Sequence, residues 1–234
     1  MEKYRRVLLK LSGEALAGEK KTGFDEATCL AVGEQVKKLV AEGIEVAIVI
    51  GGGNFWRGRT SETIDRVKAD QIGMLATVMN CLYVSDIFRY LGMPVRIFTP
   101  FLCGSMTTLF SKEEACKSLA QGNVVFLAGG TGHPYFSTDT ATALRAAELE
   151  CDIILMAKAI DGVYDSDPKK NPNARKYEEL PVRQIVEQQL GVIDLSSAVL
   201  CMENRLPLYV FSLQEEDGIV NAALGKSHGT ILTV

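Results

Sequence analysis

The sequence predicts an α/β fold: a three-layer sandwich in which a central, mainly parallel sheet is flanked by helices. Six mainly apolar runs recur along the chain, helical patterns lie between them, and glycine-rich turns follow three of the runs directly. Runs without polar alternation read as strands buried on both faces. Their alternation with helices implies parallel strands joined by crossovers on both sides of the sheet.

In chain order, the first strand is Val7 to Leu11, ended by Ser12-Gly13. Asp25 is an N-cap for a helix to about Glu42, with Cys29, Val32, Val36, Leu39 and Val40 as its apolar stripe and Gly43 as its stop. Val46 to Ile50 forms the second strand and runs into Gly51-Gly52-Gly53. A long helix spans roughly Arg66 to Leu91, where Met74, Leu75, Val78, Met79, Leu82, Ile87 and Leu91 recur at helical spacing as a core face. Strands follow at Val95 to Phe98 and Val124 to Ala128, the latter running into Gly129-Gly130-Thr131-Gly132, with a helix beginning near Asp139. Ile153 to Ala157 and Leu208 to Phe211 complete the set, and Pro168 and Pro172 make Asp165 to Lys176 a loop. No repeat or linker divides the chain, so 1–234 reads as one domain.

Composition narrows the function. The 234 residues are 47% hydrophobic and 23% charged with a net charge of −4, which gives no footprint for nucleic acid or an anionic membrane. The six cysteines contain no C-x-x-C pair, so most of them read as buried small hydrophobes of a reducing cytoplasm. The start mimics a signal peptide, but Lys10 and Ser12-Gly13-Glu14 cut its apolar run short. No apolar stretch approaches the length of a membrane span, so the expected place is the cytoplasm.

The chemistry gathers at the glycine turns. In open parallel sheets ligands bind beyond the carboxyl ends of the strands, so three glycine turns on one edge suggest an elongated polyanion site. The dinucleotide fingerprint fails because Trp56 stands where its third glycine belongs; Gly53 to Thr60 copies a P-loop except that Arg59 replaces its lysine. Lys10 is a cation inside an apolar strand, and either it snorkels to an edge or it meets an anion at the strand's end. Arg57 offers a second positive group for a transferring phosphoryl, or a bland surface charge. Asp139 is either a capping carboxylate or the acceptor that orients Lys10 or holds magnesium through water. Asp167 is suited to a ribose hydroxyl and Tyr164 to lying against a base, whereas Lys170 and Lys176 spoil the carboxylate run from Asp161 as a calcium loop. Only His133 and His228 are present and no G-x-S-x-G occurs, so covalent nucleophilic catalysis has little support. Phosphoryl transfer needs only positioning and charge neutralisation.

Five segments carry a resemblance: Leu9 to Ala15, Gly51 to Gly58, Asp70 to Asn80, Gly130 to Asp139 and Asp161 to Tyr164. Together they closely resemble the uridylate (UMP) kinases of bacteria, a branch of the amino acid kinase family, over essentially the whole chain. The resemblance implies an amino acid kinase-like fold and transfer of the ATP γ-phosphate to UMP in pyrimidine nucleotide biosynthesis. It also implies magnesium with the ATP, a homohexamer, GTP as activator and UTP as inhibitor, with an N-terminal part mainly for the acceptor and a C-terminal part mainly for ATP. By the same resemblance Lys10, Leu11, Ser12, Gly13, Gly53, Arg57, Lys158, Tyr164 and Asp167 hold ATP. UMP falls to Gly52, Asp70, Thr131, Gly132, His133, Pro134, Tyr135, Phe136, Ser137 and Thr138. Lys10, Arg57 and Asp139 are its catalytic group, and no protein ligand set is assigned to the metal. Ala159-Ile160 after Lys158 and Asn123 depart from the family pattern; they leave the adenine-side contact and activation by GTP open, with Arg96 and Lys20-Lys21 as remaining candidates for an effector.

Overall fold

A computed structural model describes residues 4–57, 63–168, 170–226 and 228–234. Its centre is a nine-stranded sheet. In chain order the elements are β1 (Arg6–Leu11), α1 (Gly13–Leu16), α2 (Glu26–Ala41), β2 (Glu45–Ile50), α3 (Arg66–Tyr90), β3 (Val95–Thr99), β4 (Thr108–Leu109), α4 (Lys112–Ala120) and β5 (Val124–Leu127). Then come α5 (Thr138–Glu148), β6 (Ile153–Lys158), β7 (Val163–Tyr164), β8 (Lys176–Tyr177), β9 (Glu179–Pro181), α6 (Val182–Glu187), α7 (Leu195–Glu203), β10 (Leu208–Ser212), α8 (Gly218–Ala223) and β11 (Thr230–Thr233). The sheet order is β4-β3-β5-β2-β1-β6-β10-β11-β9, and β7 and β8 form a separate small ribbon. All pairings in the large sheet are parallel except β10 with β11.

The six strands expected from apolar runs are all present, as is the helix after Asp25, whose carboxylate accepts from Thr28 N at 2.9 Å. The sheet divides the core by residue parity. Val7, Leu9 and Leu11 pack toward α2, α3 and α8, with Val36, Val84, Phe88 and Ile219 among their neighbours. Leu8 packs on the opposite side with Ala143 and Ala146 of α5 and Ala198 and Cys201 of α7. Since side chains alternate across a strand, Lys10 shares the side of Leu8. On β6, Ile154 and Met156 belong to that same side, and Lys158 follows their parity. Two cations therefore rise beside the start of α5 at the carboxyl edge of the sheet.

Three expectations need correction. In α3 the buried face is Ala69, Ala76, Thr77, Val78, Asn80, Cys81, Val84, Ser85 and Phe88, whereas Leu75 and Met79 are about half exposed. Both are apolar and periodic, but they form an outer stripe and not core. Among the described residues α3 also has the length and hydropathy of a membrane span, contrary to the reading of the chain as lacking one; half of that window is packed inside the protein, as in a core helix. Finally, Lys176 leaves the loop to pair with Tyr164 in the β7–β8 ribbon.

Candidate active site: a cleft beyond the sheet

Each glycine turn lands at the carboxyl edge of the sheet. Leu11 O accepts from Gly51 N at 2.9 Å, so the first two turns lie against each other. Gly13 has to be glycine: a Cβ there would stand 2.3 Å from Gly51 O and 2.4 Å from Asn54 Oδ1. The second turn is fastened from outside by a reciprocal amide pair. Asn54 Nδ2 donates to Asn80 Oδ1 at 3.0 Å, Asn80 Nδ2 donates to Asn54 Oδ1 at 2.8 Å, and Asn80 Nδ2 also reaches Gly51 O at 2.7 Å. Both amides are buried, where an unpartnered polar group costs about 1–3 kcal/mol. In the third turn Gly129, Gly130 and Gly132 all hold positive φ, and Gly129 N donates to Thr77 Oγ1 of α3 at 2.8 Å.

Between these turns lies a cleft of about 560 Å³. Its walls include Lys10, Gly52, Gly53, Asp70, Thr131, His133, Phe136, Ser137, Thr138, Asp139 and Lys158 from the expected set. Trp56, Arg66, Met74, Thr77 and the segment Gly191 to Asp194 complete most of the lining. Gly132, Pro134 and Tyr135 belong to the same loop as Thr131 without lining the cleft, and Leu11, Ser12 and Gly13 sit just behind Lys10. Arg57 is turned onto Glu14, which pairs with its Nη2. Tyr164 and Asp167 stand beyond β6, off the cleft wall; the Tyr164 hydroxyl donates to Asp161 Oδ1 at 2.8 Å. Gly58, Arg59 and Thr60 of the P-loop comparison lie outside the described residues.

The electrostatic centre is Asp139. Lys10 Nζ is 2.9 Å from its Oδ1 and Lys158 Nζ is 3.7 Å from its Oδ2. Burial works against the Asp139 charge, but the two ammonium groups outweigh it and hold the carboxyl below its ordinary range. Burial, together with the charge of Lys10, pushes the Lys158 ammonium down against the pull of Asp139. The alternative of Asp139 as a capping carboxylate is corrected: Ser137 caps α5, its Oγ accepting from Asp139 N at 3.0 Å and Thr140 N at 3.1 Å. Two cations meet one buried anion at the place where the glycine turns open. A phosphate chain fits that field.

Asp194 is among the residues of the site that escaped the sequence. Asp194 caps α7 by accepting from Ser197 N at 2.7 Å and also accepts from Thr140 Oγ1 at 3.0 Å and from the Ser137 hydroxyl. Ser197 Oγ then reaches Asp139 O at 3.0 Å, so the starts of α5 and α7 are locked together behind the central carboxylate. The local signal was only Asp194 before Leu195-Ser196-Ser197, an ordinary cap pattern. Of the effector candidates, Arg96 lies on β3 over the Phe98 ring and Lys20 sits in the turn before α2; Asn123, the departure from the family pattern, donates to Ser118 O.

Fold and cleft define a class: α/β proteins with a trough at the carboxyl ends of a mainly parallel sheet, lined by lysines and glycine turns. The chain belongs to the amino acid kinase family, whose model matches residues 5–212. The solved UMP kinase of Bacillus anthracis is 36% identical, over 99% of this chain and 97% of its own, with a TM-score of 0.95. That of Ureaplasma parvum is also 36% identical, over 100% of both chains, with a TM-score of 0.94.

Proposed function

We propose that the chain transfers the γ-phosphoryl group of ATP to UMP, giving UDP and ADP by direct in-line displacement without a covalent enzyme intermediate. The observation that carries this reading is the Lys10–Asp139–Lys158 cluster at the mouth of the glycine turns. The likeness to two UMP kinases over their whole length supports the choice of acceptor.

In this reading Lys10, with Gly13 and Gly53, holds the ATP phosphates, and Arg57 leaves Glu14 to join them. Lys158 spreads positive charge over the transferring group, where charge develops in the transition state. Asp139 keeps both ammonium groups aimed and takes no proton. Leu11 and Ser12 shape the same wall; Tyr164 and Asp167 take the adenosine end. Gly52 faces the UMP phosphate, Asp70 the ribose, and Thr131 to Thr138 the uracil. Apart from Lys10 to Gly13, Gly53 and Arg57, which hold the ATP phosphates, the N-terminal part serves mainly the acceptor and the C-terminal part mainly ATP.

Magnesium would enter with the ATP. Among the described residues no group of three His, Cys, Asp or Glu side chains is placed to hold a metal. Magnesium commonly uses one or two carboxylates plus substrate phosphates, so the donor set fits an ion carried on the nucleotide with Asp139 reaching it through water. Bound there, the ion supplies further shielding of phosphate charge.

A homohexamer is the proposed assembly, supported by the outward apolar stripe of α3, since contiguous exposed apolar residues mark association surfaces. Activation by GTP and inhibition by UTP belong to the same proposal, as does a cytoplasmic location. The test is a coupled assay of ADP formation with UMP, CMP and N-acetylglutamate as acceptors, with and without GTP. UDP formed in preference to the other products supports the reading. Transfer to a carboxylate acceptor instead, or nucleotide binding without ADP formation, overturns it.

A further inference from the structure

We propose that Arg66 is a positioning residue for the acceptor's sugar: it fixes the carboxylate of Asp70 so that one oxygen is presented to a ribose 2′-hydroxyl, and so sets the preference for ribose over deoxyribose. The inference rests on the reading of the cleft as a UMP site.

Arg66 is the first residue of α3, followed by Lys68, and no acidic residue occupies that turn. Cations at a helix N-terminus oppose the macrodipole, and the i,i+4 pair with Asp70 returns little to the helix, so helix stability alone is a weak reason for the arginine. Its contacts give a stronger one. Arg66 Nε is 2.9 Å from Asp70 Oδ2, and its guanidinium lies 5.2 Å from the centre of the Tyr135 ring. Tyr135 N donates to the same Oδ2 at 2.7 Å. Asp70 thus joins the start of α3 to the loop that carries Thr131 to Thr138.

Two features give this clasp a purpose. Tyr135 holds a φ of 72°, a left-handed conformation that a bulky side chain adopts at a cost and keeps only when its surroundings impose it. The bond to Asp70 and the arginine over its ring are what impose it. Both bonds to Asp70 also fall on Oδ2, while the side chain lines the cleft. Oδ2 takes both bonds and the carboxylate plane is fixed, so among the described residues Oδ1 is the oxygen left to accept from a ligand hydroxyl. A site built to bond a hydroxyl discriminates against the analogue lacking it, because its own polar atom is then left without a partner. Without Arg66 the carboxylate turns on its χ angles and that discrimination fades.

The experiment compares wild type, Arg66→Ala and Arg66→Lys with UMP and dUMP, alongside amide exchange of the Tyr135 N–H in nucleotide-free protein. In R66A the KM for UMP rises about tenfold, the scale of one hydrogen bond to a charged group. The KM for ATP holds, the UMP-over-dUMP preference falls by a similar factor, Tyr135 exchanges faster, and R66K restores part of each. Equal losses for UMP and dUMP would indicate direct contact of Arg66 with the phosphate and overturn the proposal. So would parallel losses in kcat and ATP affinity, a wild type indifferent to the 2′-hydroxyl, or unchanged Tyr135 exchange. A wild type that transfers nothing to UMP overturns the acceptor reading, and the exchange measurement then decides the clasp by itself.

Discussion

Lys10 Nζ and Asp139 Oδ1 stand 2.9 Å apart, one at the end of β1 and the other in the first turn of α5. The pair is mostly buried, so its geometry is set by the packing of strand and helix and not by a flexible surface contact. Replacing Asp139 by Asn keeps the shape and removes the charge that aims both lysines. The expected outcome is a fall in kcat of about 10²–10³-fold, the range for losing one preorganised electrostatic group, with circular dichroism unchanged. A variant of near-normal turnover would remove the role given to this carboxylate.

The lowered pKa of Asp139 has a sign for stability. The folded state holds the proton less tightly than the unfolded chain, whose carboxyl titrates near 3.8. The stabilisation is therefore fully present above that value and is lost as pH falls through the lower, folded one. Urea midpoints measured from pH 6 downward should decline more steeply for wild type than for D139N below about pH 4. Parallel curves would show that the carboxylate titrates alike in both states.

Gly13→Ala tests the close approach of the first two glycine turns. A Cβ 2.3 Å from the Gly51 carbonyl cannot be accommodated without backbone movement, and overpacking of this kind costs about 1–3 kcal/mol or more. Gly191→Ala is the control, because no atom lies within 4 Å of its added Cβ. Thermal melts should separate the two variants clearly; equal melting temperatures would mean that the turns are not in contact.

Asn80→Ala removes one half of the amide pair and strands Asn54 Oδ1 and the Gly51 carbonyl. The expected loss is about 2–4 kcal/mol, from two buried acceptors each losing a donor. KM should rise for both nucleotides, since the loosened turn borders both. Chemical denaturation with nucleotide titration gives both numbers, and a variant as stable as wild type would deny the pair its anchoring role.

Leu75→Glu with Met79→Lys changes only the outward stripe of α3. If copies of the chain meet on that face, sedimentation velocity will show smaller species with little change in intrinsic secondary structure. An unchanged sedimentation coefficient would remove this face from the assembly.

Sequence reasoning reached what local chemistry encodes. Buried parallel strands announce themselves as apolar runs, and Asp25 announces the helix it caps. The short β4, β7, β8 and β9 carry two or three residues each, too few for a pattern, and β11 joins the sheet as an antiparallel partner of β10. Leu75 and Met79 were misread because periodicity reports an apolar face without saying whether it meets the protein's own core or another surface. In the site, Lys10 and Asp139 were conspicuous as misfit charges. Asp194, Asn80 and Arg66 were not, since each matters only through a partner brought near by folding.

The odd–even count along β1 makes the position of Lys10 intolerant of insertions. Both edges of this strand are occupied, by β2 on one side and β6 on the other, so its register is fixed twice. One residue added between Leu8 and Leu9 would rotate everything beyond it to the opposite side, sending the ammonium toward α2 and a leucine toward Asp139. Such a frame slip would conserve every amino acid of the strand and its overall greasiness while erasing the chemistry.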